Sequence, residues 1–244
     1  FPCEAVKTNI EGTRHALQAA CEANANAFVL ISTDKAVHPT SVMGASKRIA
    51  ELLVRSQPTQ TTRCLAVRFG NVLGSRGSVL KTFKDQVVAR QPVTVTHPEM
   101  TRFFMIIAEA VQLVLQASVI GKSGQVLVLD MGEPVRITDL AEDVIRFYGL
   151  TPHVDLPIVY SGMRPGEKLY EELFTVEEGA EATVHERLSV ARLSPPGPGW
   201  LDALTDLQTA AHAGESKQVS ALLRRLIPEY GKMERGSDGE RTAG

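Results

Sequence analysis

Three short runs fix what this chain can fold into, because each is apolar throughout but for the single Arg68. They are Ala27-Phe28-Val29-Leu30-Ile31, Cys64-Leu65-Ala66-Val67-Arg68-Phe69 and Val126-Leu127-Val128-Leu129. A strand with one wet face alternates apolar and polar residues, whereas a strand of a parallel sheet covered on both faces does not. Helical periodicity separates the runs. Val6, Ile10, Thr13, Leu17 and Ala20 recur along residues 4–24, and Met43 to Ser56 returns to the same spacing. Helices alternating with buried strands predict an α/β protein with a doubly wound, Rossmann-type parallel sheet.

After Asn71 the pattern is less regular. A loop containing Gly74 and Gly77 leads to a helix near Val79–Arg90, a strand Val93–Thr96 and a helix from about Phe104 to Val119. Thr138 is a good N-cap for a helix reaching Tyr148, with Asp139 at its positive end. Pro195-Pro196-Gly197-Pro198-Gly199 breaks the chain, and Trp200 to Leu226 reads as one or two amphipathic helices. The division expected is 1–72 with 104–131 as part of a dinucleotide-binding domain, and 73–103 with 132–194 as a smaller α/β substrate-binding domain. A helical tail over 195–232 and a disordered end over 233–244 complete it.

Composition narrows the function classes. At 244 residues and 43% hydrophobic content the chain can bury a substantial core, and a net charge of -2 gives no electrostatic reason to bind nucleic acid. Cys3, Cys21 and Cys64 are odd in number and lack paired spacing, so buried thiols in a reducing cytosol are expected. The six histidines are scattered without ligand spacing, and no metal is expected. No apolar run approaches the roughly 18 residues of a membrane span. The opening Phe1-Pro2-Cys3-Glu4 enters a helix at once, with no preceding strand and no Gly-x-Gly-x-x-Gly loop. The sequence therefore reads as a fragment whose pyrophosphate cradle lies upstream, inactive on its own.

In open α/β sheets ligands bind beyond the carboxyl ends of the strands. Ser32-Thr33-Asp34-Lys35 stands at such an end. Read alone, it is either an acid beside a base or a strand-end turn in which Asp34 caps backbone amides. Met43 and Lys47 follow four residues apart and share one helix face. The Glu177-Glu178 pair reads as a solvated face.

Thr33-Asp34-Lys35-Ala36 followed by Val42-Met43-Gly44-Ala45-Ser46-Lys47-Arg48 resembles the active-site segment of extended short-chain dehydrogenases/reductases, where a strand-end Ser/Thr precedes a Tyr-x-x-x-Lys helix. It resembles most the polysaccharide-biosynthesis branch of capsule and O-antigen UDP-N-acetylglucosamine 4,6-dehydratases. Thr8-Asn9-Ile10-Glu11-Gly12-Thr13, Arg68-Phe69-Gly70-Asn71-Val72, Met100-Thr101-Arg102-Phe103 and Arg164-Pro165-Gly166-Glu167-Lys168 extend the likeness, in order, over about residues 1–190.

The resemblance implies dehydration of a UDP-N-acetylhexosamine with a tightly bound, recycled NAD or NADP. Lys47 would hold the nicotinamide ribose, with Ser32 and Val72 beside the cofactor. Thr33 would bond the sugar hydroxyl being oxidised, Asp34 would protonate the departing 6-hydroxyl, and Lys35 would remove the C5 proton. Arg164 would contact the diphosphate and Glu167 the nucleotide ribose. Asn71, Thr94, Thr96 and Arg102 are further substrate contacts, and Asn9 is structural. Met43 departs from the pattern: it stands where most relatives place tyrosine, and a thioether cannot take the C4 hydroxyl proton. Some membrane-anchored members share this methionine, and its alternative role is plain core packing. The resemblance also implies a homo-oligomer and a cytoplasmic catalytic part that an upstream segment could tether to the membrane. An epimerase or reductase of the same family, or a non-catalytic binding module, are the competing functions.

Overall fold

A computed structural model describes residues 1–57, 61–75 and 77–231. In chain order it begins with α1 (Pro2–Ala5), a π-helical segment (Val6–Glu11), α2 (Gly12–Glu22), β1 (Ala27–Ile31), a 3-10 turn (Asp34–Ala36), α3 (Val42–Arg55) and β2 (Arg63–Arg68). Next come β3 (Asn71–Leu73), α4 (Val79–Val88), β4 (Val93–Val95), β5 (Thr101–Arg102), β6 (Phe104–Ile106), α5 (Ile107–Ile120) and β7 (Val126–Leu129). The remainder is β8 (Val135–Arg136), α6 (Ile137–Phe147), β9 (Ile158–Tyr160), β10 (Ala180–Ala182), β11 (Leu188–Ala191), α7 (Trp200–His212) and α8 (Ser216–Leu226).

The chain divides into two compact units. The first comprises Phe1–Phe69, Leu115–Leu129 and Glu172–Gly244, and the second Gly70–Val114 and Asp130–Glu171. The first is built on a sheet of order β1-β2-β7-β11-β10. Its three apolar runs are the parallel members, with Leu30 opposite Ala66 and Ala66 opposite Val126. Every residue of β7 is buried, as is all of β2 after Arg63, which accounts for their lack of alternation. Ile10, Leu17, Ile49 and Leu52 join Ala66 and Val128 in one core, and Leu204, Leu207, Leu223 and Ile227 of α7 and α8 complete it. Truncating a fully buried side chain such as Ile49 to alanine costs about 2–5 kcal/mol.

The second unit holds three two-stranded pairings, β3 with β6, β4 with β9 and β5 with β8. Its own core gathers Phe83 and Val87 of α4, Val93 and Val95 of β4, and Ala141 and Ile145 of α6. No helix among the described residues is long and apolar enough to cross a membrane.

Several expectations need correction. Residues 172–194 were expected with the substrate-binding part, yet β11 hydrogen-bonds antiparallel to β7 and brings β10 with it into the first unit's sheet. The segment 104–114, expected with the dinucleotide-binding part, falls in the second unit. The first helix is interrupted by π-helical winding, and α5 starts after a short strand at Phe104–Ile106. Thr138 does not cap α6: it lies inside the helix and its hydroxyl donates to the Pro98 carbonyl at 3.2 Å, while Arg136 occupies the N-cap without a side-chain capping bond. The tail reads as two helices, and the expected disorder over 233–244 lies outside the described residues.

Candidate functional site

β1 delivers its last residues to the carboxyl edge of the sheet, and pairing with β2 persists beyond it. Ser32 N–H donates to the Val67 carbonyl at 2.8 Å, and Asp34 N–H to the Phe69 carbonyl at 3.0 Å. Thr33 is extended, and its hydroxyl accepts from Lys35 N–H at 3.4 Å, capping the 3-10 turn. The turn thus holds three consecutive polar side chains in a defined order.

Those side chains contact one another. Thr33 Oγ1 donates to Asp34 Oδ1 at 2.9 Å, and Lys35 Nζ reaches the same oxygen at 2.9 Å. Asp34 is fully buried. Its second oxygen, Oδ2, is also buried and has no hydrogen-bond partner among the described residues. A buried acceptor without a partner costs about 1–3 kcal/mol, a deficit that a donor from a ligand would relieve.

Helix α3 comes in tightly against this turn. Ser41 caps it, accepting from Gly44 N–H at 3.2 Å. Gly44 is required by space: a Cβ there would collide with the Lys35 carbonyl and stand 3.1 Å from Pro39 Cβ. Next to it, Ser46 Oγ donates to the Met43 carbonyl at 2.9 Å and accepts from Asn9 Nδ2 at 2.9 Å, so Asn9 of the π segment buttresses α3. Met43 is 41% exposed and so lies outside the core of this chain. Lys47 Nζ donates to the Ile31 carbonyl at 3.2 Å. Burial holds the Lys47 ammonium below the usual lysine range, and the nearby Glu51 carboxylate opposes that shift.

Beneath the turn lies a charge cluster that sequence reasoning missed. Arg68, at the end of β2, is fully buried and forks onto Glu51, with Nε 3.0 Å from Oε1 and Nη2 2.7 Å from Oε2. Its Nη1 donates to Glu178 Oε2 at 2.8 Å and to the Leu173 carbonyl at 2.9 Å. Arg48 Nη1 bridges Glu178 Oε1 at 2.6 Å and Glu51 Oε2 at 3.3 Å. Burial pushes the Glu51 carboxyl up, but the Arg68 and Arg48 guanidiniums and the Ser32 hydroxyl overcome it and hold the group below its ordinary range. Glu178 likewise pays a burial penalty that Arg68 and Arg48 outweigh, bringing it down to about 2. Glu178 therefore does not belong to a solvated face; only Glu177 is exposed.

Other expected site residues are placed differently. Ser32, expected beside a cofactor, is buried, and its hydroxyl donates inward to Glu51 Oε1 at 2.7 Å. In the second unit Arg102, expected on a phosphate or sugar, is 9% exposed. Its guanidinium donates to the carbonyls of Thr101 at 2.7 Å, Lys168 at 2.9 Å and Leu169 at 3.3 Å, so it clamps the chain at 168–169 instead. Thr94 is bonded to Gln86 through both its hydroxyl and its N–H, at 3.1 Å each. Thr96 Oγ1 approaches Met100 Sδ at 2.9 Å. Asn71 and Val72 are half-buried in β3, opposite Phe104 and Met105. Arg164 is exposed, at the start of a turn in which Glu167 accepts from Arg164 N–H at 2.9 Å. The cluster Thr33, Asp34, Lys35, Met43 and Lys47 falls in the first unit; Asn71, Val72, Thr94, Thr96, Arg102, Arg164 and Glu167 fall in the second.

Comparison with known proteins bears on this arrangement. Capsular polysaccharide biosynthesis protein CapD of Staphylococcus aureus is 53% identical over 189 residues, 77% of this chain and 31% of that protein. The probable polysaccharide biosynthesis protein EpsC of Bacillus subtilis is 50% identical over 192 residues, 78% of this chain and 32% of that protein. A UDP-glucose 4-epimerase of Rickettsia canadensis is 37% identical over 186 residues, 75% of this chain and 53% of that protein. This chain thus spans about a third of the first two relatives. Among solved structures, Pen from Bacillus thuringiensis matches with a TM-score of 0.70 at 37% identity, over 78% of this chain and 59% of that one. A dTDP-glucose 4,6-dehydratase from Bacillus anthracis, solved in complex with NAD, matches with a TM-score of 0.57 at 16% identity, over 65% of this chain and 57% of that one, a likeness of fold alone. The family model described as polysaccharide biosynthesis protein matches residues 1–193. With its parallel sheet, strand-end Thr33-Asp34-Lys35 and helix-borne Lys47, the chain belongs to that polysaccharide biosynthesis family of extended short-chain dehydrogenase/reductase proteins.

Proposed function

We propose that the complete protein dehydrates a UDP-N-acetylhexosamine, UDP-N-acetylglucosamine or a close relative, to a 4-keto-6-deoxy sugar. The observation that carries this reading is the Lys35 to Asp34 contact of 2.9 Å at the end of β1, with Thr33 on the same carboxylate oxygen. An Asp-Lys pair in contact sets a carboxyl and an amine at one place, so it can offer an acid and a base to adjacent carbons. Epimerisation at C4 needs no such pair.

In this reading Lys47 serves the cofactor, and Thr33, Asp34 and Lys35 of the same unit act on the sugar. Lys47 fits a ribose hydroxyl, because its ammonium already donates toward the strand end at the Ile31 carbonyl. Ser32 does not fit, since its hydroxyl is bonded to Glu51. A nicotinamide dinucleotide held at Lys47 would supply reversible hydride transfer. Thr33 orients the C4 hydroxyl. Lys35 removes the C5 proton that the C4 ketone has acidified, and C5 takes a solvent-derived proton back once water has left. Asp34 delivers a proton to the 6-hydroxyl, which leaves as water. Met43 gives no proton acceptor, so the C4 hydroxyl proton passes to Lys35, Lys47 or a water molecule. Arg164 and Glu167 are the sugar-nucleotide contacts of the second unit, the exposed guanidinium suiting a diphosphate. Arg102 acts by holding the chain at 168–169.

The test is incubation of the full-length protein with UDP-N-acetylglucosamine in deuterated water. A 4-keto-6-deoxy product carrying deuterium at C5 is expected. Absence of product while cofactor and substrate both bind would sink the enzyme reading. A C4 epimer formed without loss of water would establish the second reading, which the similarity to a UDP-glucose 4-epimerase favours.

A further inference from the structure

Lys47 and Glu51 are one helical turn apart on α3 and share a face. They act on consecutive residues of one strand end: Lys47 Nζ donates to the Ile31 carbonyl, and Ser32 Oγ donates to Glu51 Oε1. Glu51 is fully buried, and a carboxylate there is tenable only because Arg68 forks onto it and Arg48 touches it. Glu178 lies on the far side of both guanidiniums, 2.6 Å from Arg48 and 2.8 Å from Arg68. Two positive and two negative groups therefore form a neutral quartet, and its negative member next to Lys47 is screened by the other three.

We infer that this quartet is an electrostatic positioning device for the Lys47 ammonium, in which Glu178 and Arg48 set how much of the Glu51 charge Lys47 experiences. The inference rests on Lys47 as the residue that holds the nicotinamide ribose. Other charged groups stand on the elements packed against α3. They are Glu4 on α1, Lys7 and Glu11 on the π segment, Arg14, His15 and Glu22 on α2, Asp34 and Lys35 on the turn, Arg63 on β2, and Lys217, Arg224 and Arg225 on α8. Among these and the quartet, Glu51 stands four residues along the same helix face, and its carboxylate opposes the effect of burial on Lys47. Neither Glu178 nor Arg48 would touch substrate in this scheme; each acts through Glu51.

The rate at which acetic anhydride modifies the Lys47 amine across pH, followed by peptide mass spectrometry on the full-length protein, gives its ionisation midpoint without substrate. Glu178→Gln leaves the quartet with an extra positive charge and should lower the midpoint by on the order of half a pH unit. Arg48→Gln leaves it negative and should raise the midpoint by a similar amount. The double variant restores neutrality and should return the midpoint to within ~0.2 of wild type, although every contact is lost. Arg48→Lys, which keeps the charge, should leave the midpoint in place. Single variants that do not move it, that move it the same way, or a double variant that fails to restore it would overturn the inference. Should Glu178→Gln not fold, the Arg48 pair decides: a raised midpoint in Arg48→Gln with none in Arg48→Lys upholds it, and any other pattern overturns it. Because labelling needs no turnover, absence of dehydratase activity would count against the proposed reaction and leave this coupling standing.

Discussion

Acid should remove a specific part of this protein's stability through Glu178. Its carboxyl ordinarily ionises near 4.5, and in the fold Arg68 and Arg48 hold it down to about 2 against the cost of burial. The group is almost fully buried, so solvent screening is weak. A gap of this size corresponds to about 3 kcal/mol favouring the folded state wherever the carboxyl is ionised in both states. The folded value is the depressed one, so the contribution is complete above about pH 4.5 and is lost as pH falls toward 2. By pH 3 about 2 kcal/mol should be gone. Denaturant unfolding of wild type and Glu178→Gln, followed by circular dichroism at pH 7, 4 and 3, isolates the effect because other carboxyls titrate in both proteins. At pH 7 the variant should be less stable by about 3–5 kcal/mol, having left the buried Arg68 short of a partner. That gap should narrow by about 2 kcal/mol at pH 3. A gap that stays constant from pH 7 to pH 3 would refute the argument that the Glu178 charge itself is being held by the fold.

Other consequences follow from the strand-end turn and the second unit. Asp34→Asn and Lys35→Gln should each reduce turnover of UDP-N-acetylglucosamine by roughly 10²–10⁴-fold while leaving substrate binding by calorimetry within a few fold. Gly44→Ala forces a methyl group against the Lys35 carbonyl; unfolding measurements should show a loss of about 1–3 kcal/mol, and turnover should fall with it as the turn is displaced. Arg102→Ala should act on stability, costing about 1–3 kcal/mol for carbonyls left without donors, while KM of the folded variant stays near wild type. A large rise in KM at unchanged stability would return Arg102 to the substrate.

Apolar runs made the central strands legible in the sequence. β1 and β7 fall on the residues that their runs predict, and β2 differs by one residue at each end, although of β1 only Leu30 is buried and Ile31 is exposed. β10 and β11 were not legible because Ala180–Ala182 is wholly exposed and Leu188–Ala191 alternates weakly, so no run marks them. Their place beside β7 comes from tertiary pairing. Thr138 failed as a cap for a related reason: Pro98, distant in sequence, offers its carbonyl and so decides which way the hydroxyl turns. In the site, adjacency brings Thr33, Asp34 and Lys35 into contact, but their reading as a site together with Lys47 came from the resemblance of their segments to a known family. Arg102 could not be assigned, because its carbonyl partners at 168–169 are 66 and 67 residues away.

The buried quartet shows where charge misleads. Glu178 beside Glu177 has the look of a solvated pair, and Arg68 within an apolar run has no sequence-local partner. Replacing such a quartet by apolar residues is often neutral or stabilising, so its presence is weak evidence for stability. Its position is more telling. It joins the ends of β1 and β2, the middle of α3 and the segment leading into β10 at the point where the sheet presents Thr33, Asp34 and Lys35. Met43 is exposed and cannot carry a proton, so the proposed reaction places proton transfer on Asp34 and Lys35, with Lys47 at the cofactor ribose. The inferred coupling to Lys47 gives that position a role that apolar side chains could not fill.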